Sequence, residues 1–234
     1  MIHTIWIGPA KMDKYHEYHL RSIKNVYGIK PTLWVYNYDT PKIISEIADV
    51  QQIPDVIMNN ISDVKCVGDN IRNILTMTDY IRYYVLYMYG GIYFDMDGIS
   101  YKSILEIPNV DIYDIVVGKY KCGTVNGAVM YVKNPFNSHM HSLMTMFIKI
   151  MSNHKQMPWA LTGPTLIARY TNVNYNNMNM LVMPHQAFYI YEWQPENTAK
   201  IFAEGGCKDS DLEQIYFLHL WSSDNSELLK TIDD

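Results

Sequence analysis

The stretch from Asp69 to Gly98 constrains this 234-residue chain more than any other. Ile71, Ile74, Leu75, Thr78, Arg82, Val85 and Leu86 recur at steps of three and four, the spacing of one face of an α-helix. The pattern predicts a helix from about Asp69 to Tyr89, stopped by Gly90-Gly91. Ile92-Tyr93-Phe94 follows as an apolar strand, and Asp95-Met96-Asp97-Gly98 lies at that strand's carboxyl end. A helix feeding a buried strand without slack belongs to layered α/β architectures, whose ligands bind outside the carboxyl ends of the strands.

The same alternation runs through the rest of the chain. Ile2 to Ile7 is a strand ended by Gly8-Pro9, and Met12 to Tyr27 is a helix that meets Gly28, suited to a left-handed cap. Thr32 to Tyr36 is a strand; Thr40-Pro41 then opens a helix to about Ala48, with Thr40 as its cap. Val56 to Met58 is expected as a further short strand. Strands are also expected at Ile115 to Tyr120, Ala128 to Val132, Leu181 to Met183 and Ile215 to Leu220. Helices are expected from Pro135 to Met151 and after Thr162-Gly163-Pro164. No linker or repeat divides the chain, so residues 1–234 are expected to form one domain.

Composition narrows the partners. A formal net charge of −5 argues against nucleic acid. An acidic chain that binds a diphosphate needs a local cation. Cys66, Cys122 and Cys207 are far apart and odd in number, which suggests neither a disulfide framework nor structural zinc. The N-terminus lacks the basic and apolar regions of a signal peptide, and no run of about 18 apolar residues exists to span a membrane. A cytoplasmic location is the corresponding expectation. The many tyrosines, methionines, isoleucines and asparagines suit an AT-rich genome and a microbial or viral source.

Asp95 and Asp97, separated by one residue, point the same way in an extended segment. Two hard oxygen ligands suit Mn²⁺ or Mg²⁺, which removes the repulsion between them; a plain turn after a strand is the structural alternative. Asp79 and Arg82 share a helical face, either as an ion pair of little consequence or, since Arg82 falls on the apolar stripe, as an inward pair able to meet sugar hydroxyls. Trp6 is either core or a stacking surface for a nucleobase. His219 is either a buried core histidine or, if its strand reaches the carboxylates, a further metal ligand. His16, His19, His139 and His141 are expected to be solvated helix residues.

Taken together, Ile2-His3-Thr4-Ile5-Trp6-Ile7-Gly8, Asp79-Tyr80-Ile81-Arg82-Tyr83, Tyr89 to Asp97, Thr162-Gly163-Pro164 and His219-Leu220-Trp221 carry a resemblance. The chain resembles the DxD-containing glycosyltransferases of family 32, which include the yeast-type initiating mannosyltransferases. More distantly, it is similar to the glucosyltransferase domains of large clostridial toxins. The resemblance implies a GT-A fold: a Rossmann-like α/β sandwich with a mixed, mostly parallel sheet and helices on both faces. Residues 1–100 would mainly bind the nucleotide sugar, and 101–234 would supply the acceptor side and late metal and nucleotide contacts. By the same resemblance Trp6 would stack on the donor base, and Asp79 and Arg82 would contact donor-sugar hydroxyls. Asp95 would bind ribose or metal, and Asp97 metal. Tyr93 and Asn126 would line the donor site, His219 would hold metal or pyrophosphate, and Trp221 would lie beside the nucleotide. The implied reaction is transfer from a UDP- or GDP-sugar to a hydroxyl of a glycan or glycoconjugate, with retention of configuration.

Two other readings stand beside it. Phe94 to Gly98 is also similar to the nucleophile motif of haloacid-dehalogenase-type Mg²⁺-dependent phosphatases, with Asp95 as nucleophile. Here Ile99 replaces the usual threonine, and the motif is far from the N-terminus. A carbohydrate-binding protein without turnover would have no need of the carboxylate pair.

Overall fold

The computed structural model describes residues 1–62, 71–153, 161–191 and 213–221. Its strands are β1 (Ile2–Ile7), β2 (Thr32–Tyr36), β3 (Asp49–Gln52), β4 (Gly91–Phe94), β5 (Gly98–Ser100), β6 (Ile115–Lys119), β7 (Val125–Val132), β8 (Met180–Met183) and β9 (Phe217–His219). Seven of them form one sheet in the order β3-β2-β1-β4-β7-β6-β8, and β5 pairs with β9 as a separate antiparallel ribbon. Within the large sheet β7 alone runs against its neighbours; every other pairing is parallel. This is the mixed, mostly parallel sheet expected.

The helices are α1 (Lys14–Tyr27), α2 (Lys42–Ile47), α3 (Asp55–Ser62), α4 (Ile71–Tyr89), α5 (Ser138–Asn153), α6 (Pro164–Asn174) and the single turn α7 (His185–Phe188). Strand alternation sends β4 side chains to two cores. Tyr93 joins Ile5, Ile115 and Met130 under Ile81, Val85, Phe147 and Ile167 of α4, α5 and α6. Ile92 and Phe94 face the opposite way, against Ile23 of α1, Ile104 and Phe188. Burial of each such side chain contributes about 1.5–3 kcal/mol, so the helix layers are held on both faces.

Local chemistry explains most boundaries. Gly28 ends α1 with φ 68, and its N–H bonds the carbonyl of Lys24. The turn between α4 and β4 needs both glycines: Gly90 and Gly91 have φ 61 and 90, and a Cβ on Gly91 would sit 2.3 Å from the Met1 carbonyl oxygen. His3 fastens this turn from β1. Trp34 Nε1 donates to His3 Nδ1 at 3.1 Å, so Nε2 carries the proton and donates to the Gly90 carbonyl at 2.9 Å. Helix α5 starts three residues later than expected because the Asn137 side chain accepts from the His139 and Met140 amides and so caps it.

Two expectations are corrected, and one strand was not expected. Val56 to Met58 is not a strand but part of α3, which opens after Pro54 with Asp55 in its first turn, where a carboxylate favours the helix. The strand of this region is β3, whose residues Asp49, Val50, Gln51 and Gln52 carry little apolar signal; it forms through its backbone pairing to β2. Pro41, not Thr40, occupies the cap position of α2. The expected start of α4 at Asp69 lies outside the described residues. No described helix is long and apolar enough to cross a membrane.

Candidate active site

The site begins where β4 ends. Asp95 has the same parity as Tyr93, so it turns toward the α4 side of the sheet, and its amide is held by the Ala128 carbonyl at 2.8 Å. There it meets the inward face of α4. Arg82 Nη2 lies 3.1 Å from Asp79 Oδ1 and 3.1 Å from Asp95 Oδ1, and its guanidinium sits 4.9 Å over the Tyr93 ring. The Tyr93 hydroxyl donates to Asp95 Oδ1 at 2.6 Å. Asp79 Oδ2 accepts from Thr162 Oγ1 at 2.8 Å, while the Tyr83 hydroxyl donates to the Thr162 carbonyl. Gly163 allows this approach, since a Cβ there would lie 2.7 Å from Asp79 Oδ1. Thr162-Gly163 therefore serves as the back wall of the Asp79 carboxylate as well as the turn before α6.

The Asp79–Arg82 pair is thus neither exposed nor confined to its helix: both side chains are largely buried, and Arg82 bridges to the strand. Burial raises the Asp79 carboxyl to about 6, against the lowering pull of Arg82 and Thr162. For Arg82 the cost of burial is outweighed by Asp95, Tyr93 and Asp79, which together hold its proton more tightly than usual. Arg82 Nε is buried and makes no hydrogen bond among the described residues, which leaves one donor in reserve for a ligand.

Asp97 and His219 are joined by the second ribbon. His219 pairs directly with Gly98 across β5 and β9, and the Leu220 amide donates to the Asp97 carbonyl at 2.7 Å. Gly98 is required here: a Cβ would overlap the Phe217 ring at 2.1 Å. His219 Nε2 lies 3.1 Å from Asp97 Oδ1 and 3.9 Å from Asp95 Oδ2. Both ring nitrogens are buried, and neither makes a well-directed hydrogen bond among the described residues. Burial lowers the His219 pKa, but Asp97 and Asp95 more than compensate, and the net shift is upward.

These residues fit a divalent cation. Asp95, Asp97 and His219 each offer a ligand atom, and the three atoms lie within 4.8 Å of one another. Two carboxylates and an imidazole are a suitable donor set for Mn²⁺, and the unsatisfied buried imidazole is what a metal ligand looks like without its metal. Three carboxylates against one guanidinium also leave the cluster acidic, which a divalent cation corrects.

Trp6 is half-buried near the end of β1, on the face opposite Ile5 and Ile7. Its Nε1 donates to the Ala10 carbonyl, and its ring meets the edges of His16 and Tyr38 at 4.6 and 6.0 Å. Asn126 is buried; its Oδ1 accepts from the Ala128 amide at 2.6 Å and from Tyr189 at 3.4 Å, so it shapes the backbone beside Asp95. Trp221 takes φ 56, donates its Nε1 to the Tyr191 carbonyl and touches the His219 ring at 4.1 Å. The structure therefore gathers Asp79, Arg82, Tyr93, Asp95, Asp97 and His219 into one cluster, with Asn126 and Trp221 beside it and Trp6 at the β1 end.

Sequence reasoning missed two histidines. His16 and His19, expected in solvent, are 4% and 0% exposed. His16 Nδ1 accepts the Asp13 amide at the start of α1, and its ring backs Trp6. His19 Nδ1 donates to the Gly98 carbonyl at 2.8 Å and so anchors the turn after the carboxylates. Desolvation brings both down to about 4, partly opposed by the charge of Asp97. Their positions three apart on α1 would have placed both on one face, but the polar letters hid that the face is buried. His141 is exposed as expected, but His139 is not solvated: it is half-buried, with Nδ1 2.8 Å from the Tyr170 hydroxyl.

Residues 16–114 match the sequence model described as the glycosyltransferase sugar-binding region containing a DXD motif. Over this stretch the chain is similar to DXD-type glycosyltransferases. This stretch holds Asp79, Arg82, Tyr93, Asp95 and Asp97, all of the cluster but His219. An uncharacterized glycosyltransferase of Acanthamoeba polyphaga mimivirus is 29% identical over 110 residues, 44% of this chain and 37% of that relative. The match thus spans little more than a third of the relative's length. Among solved structures, PaToxG glycosyltransferase aligns with a TM-score of 0.54 at 15% identity, covering 95% of this chain and 84% of that one. The galactosyltransferase LgtC, solved with donor and acceptor sugar analogs, aligns at 0.52 and 11% identity over 93% of this chain and 86% of that one. The DXD region thus sits in the GT-A fold.

Proposed function

We propose that this protein is a metal-dependent glycosyltransferase that moves a sugar from a UDP- or GDP-sugar to a hydroxyl of a glycan or glycoconjugate, with retention of configuration. The observation that carries the reading is the convergence of Asp95, Asp97 and His219 on one point beside the buried Arg82–Asp79 pair. Asp95, Asp97 and His219 would hold Mn²⁺ or Mg²⁺. When bound, the ion supplies charge that neutralises the donor diphosphate and stabilises its leaving oxygen. Trp6, at the β1 end, offers its ring to the base. Arg82 orients Asp95 through Oδ1, and its free Nε can donate to a sugar hydroxyl or phosphate oxygen. Asp79, fixed on two sides by Arg82 and Thr162, can accept from a sugar hydroxyl with its remaining lone pairs. Residues 1–100 would mainly bind the donor, and residues 101–234 would supply the acceptor side together with the late metal and nucleotide contacts.

Retention is proposed without a covalent intermediate. Asp79 and Asp95 each have an oxygen held by Arg82, and the Tyr93 hydroxyl holds Asp95 a second time, so neither is placed as a free nucleophile. The acceptor hydroxyl would enter on the face from which the diphosphate departs. The same restraint on Asp95 weighs against the phosphatase reading, which needs that carboxylate free for in-line attack.

The test is a thermal-shift panel of UDP- and GDP-sugars with and without Mn²⁺, followed by measurement of nucleoside diphosphate release. The correct donor at 100 times its Kd stabilises the native state by about 2.7 kcal/mol. Release should stop in EDTA, return with Mn²⁺, and fall by at least about 100-fold in Asp97→Asn, since an amide is a poorer, uncharged ligand for a hard cation. Donor binding without release would make the protein a sugar binder. Undiminished turnover in chelator or in Asp97→Asn would remove the metal from the reaction.

A further inference from the structure

Across the carboxylates from Trp6 stands a second aromatic surface, centred on Tyr120, to which neither the metal nor the base has been assigned. The sheet order places β1 on one side of β4, and β7 and β6 on the other. Tyr120 follows β6 directly, at the same end of the sheet as Asp95, because β6 pairs antiparallel with β7 and β7 antiparallel with β4. Its ring packs 5.3 Å from Tyr189 and 5.5 Å from Trp221, whose own ring rests on His219. Tyr120 is half-buried, and among the described residues no hydrogen bond engages its hydroxyl. Burial, and after it the charge of Asp95, raise its pKa.

The backbone around it is built for this position. The pairing of β6 with β7 jumps from Val117–Met130 to Gly118–Asn126, an irregularity of the kind that bends a strand and re-aims side chains beside a site. Gly118 permits it, since a Cβ would lie 2.5 Å from Phe188 and 2.6 Å from Tyr189. The Asn126 side chain fills the gap left in the ladder by accepting the Ala128 amide. The tip is closed by Tyr120 N–H to the Thr124 carbonyl at 2.8 Å and Gly123 N–H to the Tyr120 carbonyl at 2.9 Å, with Gly123 at φ 90. The ring is therefore carried on a short, hydrogen-bonded hairpin.

We propose that Tyr120, backed by Trp221 and Tyr189, is the platform for the acceptor, and that the acceptor unit it takes is a pyranose rather than a peptide hydroxyl. The inference rests on the transferase reading above. A pyranose presents a face of C–H bonds that packs on an aromatic ring, while its hydroxyls stay at the edge to react or to bond water. With the donor base at Trp6 and the metal at β4, an acceptor stacked on Tyr120 approaches the cluster from the side opposite β1.

The experiment uses the purified chain with Mn²⁺ and its best donor. Acceptors are methyl glycosides of glucose, galactose, mannose and N-acetylglucosamine, the matching disaccharides, and a serine- and threonine-containing peptide. Steady-state constants are measured for wild type, Tyr120→Phe and Tyr120→Leu. The expected result is transfer to a sugar acceptor, with acceptor KM raised about tenfold in Tyr120→Leu, near wild type in Tyr120→Phe, and donor KM unchanged. Wild-type acceptor KM in Tyr120→Leu, or an equal rise in donor KM, overturns the platform. Transfer to the peptide alone overturns the acceptor class. Donor hydrolysis with transfer to no acceptor sugar overturns the platform while the transferase site stands; absence of any donor turnover overturns both. A melting temperature shared by Tyr120→Leu and wild type is required for the first outcome, and Tyr120→Phe keeps the platform testable if the leucine variant is unstable, because loss of acceptor binding with the ring intact also refutes stacking.

Discussion

His3 carries a pH dependence that its place in the fold makes calculable. It is fully buried, accepts from Trp34 and donates to Gly90, so protonation would set a second N–H against the indole donor. Desolvation brings its pKa down to about 4, with the Gly90 bond opposing. In the unfolded chain a histidine takes a proton near pH 6.5. Because the folded pKa is depressed, the stabilisation is complete above the unfolded value and drains away as pH falls from about 6.5 toward 4. Between pH 7 and pH 5 this linkage amounts to about 1.8 kcal/mol for His3 alone. His16 and His19, both also brought to about 4, add similar amounts. The three together approach about 5 kcal/mol, comparable with the whole stability of a modest domain. Asp79 acts in the other direction: its carboxyl, raised to about 6, binds a proton in the folded state first, which returns about 1.3 kcal/mol over the same interval. His219, raised rather than lowered, likewise favours the folded state as pH falls.

The measurement is urea unfolding of wild type and His3→Gln by circular dichroism at pH 7, 6 and 5 in EDTA. At pH 7 the variant should be less stable by about 1–2 kcal/mol, the cost of two imperfectly replaced buried hydrogen bonds. That deficit should shrink by about 1.8 kcal/mol on going to pH 5, because glutamine has no proton to withhold. A wild-type-minus-variant difference that stays constant across the range would refute the reasoning and show that His3 is protonated in the folded state or already neutral in both.

Two further variants separate base recognition from sugar recognition. Trp6→Ala should weaken nucleoside diphosphate binding by about 1–3 kcal/mol in titration calorimetry while the circular dichroism stays native; an unfolded variant would make Trp6 a core residue instead. Gly163→Ala should push the Asp79 carboxylate from its place, since the new methyl would begin 2.7 Å from Oδ1. A displacement well under 1 Å at a positioning group is enough to lower transfer by about tenfold or more, with nucleoside diphosphate affinity little changed; wild-type turnover would show that the position of Asp79 does not matter to the sugar.

The alternating α/β order, the helix ending in Gly90-Gly91, the carboxylate pair after β4 and the inward slope of Arg82 were all legible in the letters, because each depends on chain neighbours within one helical turn or one strand. Backbone pairing and burial were not. Strand β3 is made of Asp49, Val50 and two glutamines, and only its hydrogen bonds to β2 make it a strand. His16 and His19 are polar in sequence and enclosed in the fold, since burial is a property of what packs over a face. Proximity across long sequence separations was equally hidden. His219 reaches Asp97 because β9 pairs with β5, and Thr162 reaches Asp79 because Gly163 leaves room for it. The letters show which side chains could ligate, stack or pair; which of them meet is settled in the fold, because contacts made across 83 residues, as for Thr162 and Asp79, or more depend on strand order and close backbone approach, which no local pattern encodes.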